Sequence, residues 1–133
     1  MGIEVNYVDN GIGVEMLSSG IVTGVDVIEA HEQVYHPDIL QKLKYLLVDR
    51  SACEKYFVST AHLKSVADLS REAVRASPGF VVAITSPTEL MHRAAEVWKS
   101  YLDKELMRVG LFSDRGHAIK WIEGELGKGI SLT

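Results

Sequence analysis

Phe80 to Glu89 reads FVVAITSPTE. The first six residues, Phe80–Thr85, form an unbroken, mostly apolar run of strand length. A strand that met water on one face would alternate, so this one is expected to be covered on both faces, as in parallel sheets. Ser86-Pro87-Thr88-Glu89 then has the form of a capping box, with Ser86 as N-cap and proline at the first helical position. A fully covered strand feeding directly into a helix is the repeating unit of an α/β sheet.

The rest of the chain extends that pattern in both directions. Ile3, Val5 and Tyr7 alternate with polar residues, Asn10-Gly11 is a turn signal, and Val14–Val22 reads as a second strand, making an N-terminal β-hairpin. Thr23 and Asp26 open a helix that runs to about Tyr35, and His36-Pro37 stops it. Pro37–Lys42 is expected to add a short helical turn. Tyr45–Asp49 is the third strand. Leu63, Val66, Ala67, Ala73 and Val74 are the inward stripe of the next helix, which ends before Ser77-Pro78-Gly79. Leu90, Ala94, Val97, Trp98, Tyr101 and Leu102 form the stripe of the helix after Glu89. Met107–Phe112 is a fifth strand. Ser113 or Asp114 caps a last helix carrying Ala118, Ile119, Ile122 and Leu126, and Gly127-Lys128-Gly129 is expected to fray. The expected fold is therefore a single α/β domain over residues 1–133: an N-terminal β-hairpin followed by β-α units, with a five-stranded mixed sheet and four main helices.

Composition narrows the function. Apolar residues make up 47% of the 133, enough for a core without metal or disulfide support. The single cysteine, Cys53, forms no internal disulfide and points to a reducing compartment. A net charge of −4 with scattered basic residues argues against nucleic acid. No apolar run approaches the roughly 20 residues of a membrane span. MGIEVNYVDN carries acids and alternates, unlike a secretory signal, and Asn6 stands where a myristoylation motif needs Ser or Thr. The expected location is cytoplasmic, with peripheral membrane contact as an option.

No motif specifies a reaction. The clustered glycines, Gly11 and Gly13, lie in the hairpin turn with no helix directly after them, so neither a dinucleotide nor a phosphate loop is expected. His31 and His36 are five residues apart across a proline, and His62, His92 and His117 fall on three other segments, so no metal site is expected either. His31 shares the inward stripe of the first helix with Ile28, Val34 and Tyr35. It reads as a core-edge histidine bonded to backbone or, more specifically, as a polar anchor in an apolar pocket. LLVDRSACEKYFVST (Leu46–Thr60) reads as the end of the third strand running straight into a polar loop. Cys53 could serve there as a nucleophile only with a base and a lowered pKa, and an enzyme is not the expected outcome.

Three segments carry a family resemblance: SSGIVTGVDVIEA (Ser18–Ala30), LKYLLVDRS (Leu43–Ser51) and FSDRGHAIKWIEGEL (Phe112–Leu126). Together with the element order, they make the chain resemble the SpoIIAA-like branch of the STAS superfamily over most of its length. The resemblance implies a non-enzymatic protein. For the antagonist members it implies a protein-interaction module switched by phosphorylation of a serine where the third strand's loop meets the next helix. Ser59 and Thr60 are the nearest hydroxyls here, and their simpler role is to cap that helix. DRSACEKYFVSTAHL stands in place of the antagonists' Asp-Ser-Ser-Gly-like pattern. For the SpoIIAA-like branch the resemblance implies an apolar small-molecule cavity and reversible membrane contact.

The residues favour the second implication. Tyr56 and Phe57 place bulky apolar groups in the segment read as a loop, flanked by Arg50 and Lys55, as in a gate or a membrane-touching loop. Small Ala94 and Ala95 beside Trp98 suggest a cavity. The expected ligand is a lipid or fatty-acid-like molecule lined by His31, Tyr35, Phe57, Leu63, Met91 and Trp98, with no cofactor. The surplus apolar edge of the helix after Glu89 would otherwise serve a homodimer or thicken the core.

Overall fold

The computed structural model describes residues 2–102 and 107–133. β1 (Gly2–Val8) and β2 (Gly13–Thr23) form the hairpin. They are followed by α1 (Gly24–Val34), the short α2 (Pro37–Leu40), β3 (Tyr45–Phe57), α3 (Thr60–Ala76), β4 (Val81–Thr85), α4 (Glu89–Ser100), β5 (Arg108–Phe112) and α5 (Arg115–Leu126). This is the expected α/β architecture with a five-stranded mixed sheet. The hairpin connection is longer than a two-residue Asn-Gly turn. Val8 pairs with Gly13, and Asp9 joins Asn10 and Gly11 at positive φ. The Asp9 carboxylate accepts a 2.6 Å hydrogen bond from Tyr45 Oη, which holds it there.

The strands lie in the order β1-β2-β3-β4-β5, with β1 antiparallel to β2 and the remaining pairs parallel. Each crossover advances one place in the same direction. Right-handed crossovers of that kind all fall on one face of the sheet. Accordingly α1 packs on α3 and α3 on α4, over a core that includes Val14, Met16, Leu46, Val48, Val82 and Ile84. Of the described helices, α5 covers the other face, where Ala118, Ile119 and Ile122 meet Tyr45, Leu47, Val81 and Ala83. Because the order never reverses, the sheet has no topological switch point, the usual nucleotide crevice of doubly wound folds.

Three boundaries differ from expectation. α4 begins two residues late: Thr88 is its N-cap, accepting a hydrogen bond from Met91 N–H at 3.2 Å, and Pro87 stays in the connection. The tail beyond α5 folds back instead of fraying. Gly127 closes the helix in the left-handed region (φ 71°), and Ile130 and Leu132 then pack on the α5 face. The largest difference is in β3, which continues eight residues past Asp49 to Phe57.

Candidate functional site

Between the pairs Leu17–Asp49 and Thr23–Phe57, β3 uses two more residues than β2, with register shifts at Leu17/Ser19 and Gly20/Ile21. These are β-bulges, and each one resets the in–out alternation. Arg50, Cys53 and Tyr56, three residues apart, therefore all turn toward the helices and are buried, while Lys55 and Phe57 face out. The expected loop of Arg50, Lys55, Tyr56 and Phe57 is thus a bulged strand, and two of its four members are interior.

Arg50 lies on the wall of a small cavity with Val27, His31, Leu63, Val82 and Trp98. The cavity's free volume is about 10 Å³, close to what one water molecule needs. His31 is held through Nδ1 by the carbonyl of Val27 at 2.8 Å, so the ring proton sits on Nδ1. Burial, with Arg50 adding to it against that hydrogen bond, lowers its pKa to about 4 and keeps the imidazole neutral. The Arg50 guanidinium stacks 4.8 Å above the Tyr56 ring.

Tyr56 also lines an open groove, with Glu54, Lys55, Phe57, Thr88, Leu90 and Met91. The groove spans about 530 Å³, and its rim leaves Phe57 59% and Leu90 66% exposed.

The six expected lining residues therefore divide. His31, Leu63 and Trp98 line the cavity, whereas Phe57 and Met91 line the groove. Tyr35 lines neither: it packs on Phe80, and its hydroxyl lies 3.2 Å from Ser70 Oγ. Ala94 and Ala95 do not border the cavity, and Ala95 is fully buried in the core. Arg50 was read as a surface cation and is an interior one. A polar residue between two bulges gives no periodic signal, and only the three-residue spacing to Cys53 and Tyr56 marks its direction. Burial pushes the Cys53 thiol up, the opposite of what a nucleophile requires.

Ser59 is the N-cap of α3. It accepts from His62 N–H at 3.2 Å, and His62 Nδ1 accepts in return from Ser59 N–H at 3.1 Å, so a histidine fills the usual Glu place of a capping box. Thr60 is the exposed first residue of the helix.

On the opposite face, Arg115 of α5 forms ion pairs with Glu15 and with Asp49, the latter at 2.9 Å. Burial raises the Asp49 carboxyl, but hydrogen bonds from Ser51, Thr85 and Arg115 outweigh it and hold the pKa below its usual value. Among the described residues no cluster of three or more His, Cys, Asp or Glu could hold a metal ion, and no helix is long and apolar enough to cross a membrane.

The hairpin and the sequential parallel strands give the chain a SpoIIAA-like fold. The anti-sigma factor antagonist SpoIIAA in its unphosphorylated form superposes with a TM-score of 0.63 at 10% identity, covering 92% of this chain and 99% of that one. An uncharacterized protein of the DUF3478 family with a SpoIIAA-like fold, from Shewanella loihica, gives 0.56 at 17% identity over 91% of this chain and 92% of its own. No family model matches the sequence, and no curated protein does.

Proposed function

We propose that this chain is a non-enzymatic binding module that takes a small apolar ligand in the groove between the end of β3 and the start of α4. The observation that carries the reading is the exposure of Phe57 and Leu90 across the Tyr56–Met91 groove, where two large apolar side chains face water. Removing that surface from water is the main gain available to a ligand there. The groove has room for an acyl chain or a quinone ring, whereas the His31 cavity alone does not. Lys55 beside Phe57 would let the same edge touch an anionic membrane while ligand is exchanged. Native mass spectrometry of freshly purified protein, followed by organic extraction, is the test. A reproducible added mass that extracts as a lipid, fatty acid or quinone, and that is lost in Phe57→Ser, is the expected result. A clean apo mass would count against it.

A second reading is favoured by the position of Ser59, exposed two residues from Phe57. In it the Phe57–Leu90 edge docks a regulatory protein, as an anti-sigma antagonist docks its partner, with Ser59 or Thr60 as the phosphorylated switch. A phosphate there would meet the positive end of α3 and repel an acidic partner surface. The absence of any phosphorylated peptide covering Ser59 and Thr60 in cells, together with unchanged partner capture by Ser59→Asp, would retire this reading.

A further inference from the structure

Beside the groove, three hydrogen-bond donors are buried without partners among the described residues: Nη1 of Arg50, Oη of Tyr56 and Nε1 of Trp98. Their residues are 6%, 8% and 4% exposed. Arg50 and Trp98 line the same cavity, and Tyr56 lies against the guanidinium. None of the ion pairs among the described residues involves Arg50. The neighbouring carboxylate, Asp49, points to the opposite face, where Arg115 takes it. A buried guanidinium N–H with no acceptor carries its full desolvation penalty, and stacking on one tyrosine offsets only part of it. His31 supplies no counter-charge, because its ring is neutral, and among the described residues its Nε2 accepts from none of the three donors.

Arg50 Nη1 and Trp98 Nε1 only donate, and Tyr56 Oη donates as well as accepts, so their complement is rich in acceptors. A water molecule would accept two of these hydrogens but bring two of its own into a cavity walled mainly by Val27, Val48, Leu63, Val66, Val82 and Ile84. A carboxylate brings none and offers about four lone-pair directions. One guanidinium balances one negative charge, and dry walls disfavour the second charge of a phosphate monoester.

Resting on the groove reading above, we propose that Arg50, with Trp98 and Tyr56, is the head-group seat of the ligand, and that the ligand is an aliphatic carboxylic acid. The acyl chain lies along Phe57, Leu90 and Met91. The carboxylate end turns inward beside Tyr56, and one of its oxygens accepts from Arg50 Nη1.

The test compares decanoate with decan-1-ol, which share a chain and differ in the head, by titration calorimetry at pH 7.5. Wild-type protein is expected to prefer decanoate by about tenfold or more, the scale of a charge-assisted hydrogen bond. Arg50→Met should bring that preference close to one while leaving decanol affinity intact, and Arg50→Lys should restore part of it. Trp98→Phe, which keeps the packing and removes one donor, should cost severalfold in decanoate affinity alone and serves if Arg50→Met does not fold. Equal affinity for the two probes, or a preference that survives both Arg50→Met and Trp98→Phe, overturns the head-group seat and leaves the groove reading standing. Binding of neither probe overturns both.

Discussion

His31 gives up its charge to be buried on the cavity wall that it shares with Arg50. The histidine has a measurable consequence. Folded His31 refuses a proton until about pH 4, whereas the unfolded chain takes one up near 6.5. Its contribution is therefore fully present above pH 6.5 and is lost progressively as pH falls toward 4, by about 3 kcal/mol in all. Urea unfolding between pH 7 and 4.5 should show that decline, and His31→Leu should flatten it. A slope that persists in the variant would assign the acid sensitivity to other groups.

At the scale of elements, the start of α3 separates capping from signalling. Ser59→Ala should lower stability by about 1 kcal/mol through loss of the cap, whereas Ser59→Asp, which can cap equally well, should change it by only a few tenths. Thermal unfolding of both variants checks this. Equal losses would mean that the His62 half of the box, rather than the Ser59 side chain, anchors the helix. The same elements show what could be read from sequence. FVVAITSPTE was legible because burial on both faces leaves an uninterrupted apolar run, and only the cap moved, from Ser86 to Thr88. The stripes of α1, α3 and α4 likewise exposed His31, Leu63 and Trp98 as inward residues. The far half of β3 was illegible because two bulges replace a two-residue period with a three-residue one. DRSACEKYF then looks like a polar loop, and nothing in its pattern sets the interior cation apart from a surface one. The Glu15–Asp49–Arg115 network was equally hidden, since it joins residues from three distant segments.

For the whole molecule, Arg115 is the fastener between its layers, pairing α5 with β2 and β3 and donating from Nε to the Thr133 carbonyl at 2.8 Å. Arg115→Met would leave the carboxylates of Glu15 and Asp49, 8% and 7% exposed, without their cation. Stability at pH 7 should fall by about 3 kcal/mol. The loss should shrink toward pH 3, where protonation removes the uncompensated charge, and denaturant titrations at both pH values would show it. An equal loss at both would indicate packing instead. The strand order has a further consequence, for the way the chain is made. Every strand pairs with the one synthesised just before it, so a polypeptide leaving the ribosome can lay down its sheet row by row, using the β1–β2 hairpin as the template. No row has to wait for a later one. Long-range ties come after the sheet: Arg115 pairs with Glu15, and Ser131 N–H reaches the Asp9 carboxylate across 122 positions, fastening the segment beyond α5 to the hairpin turn.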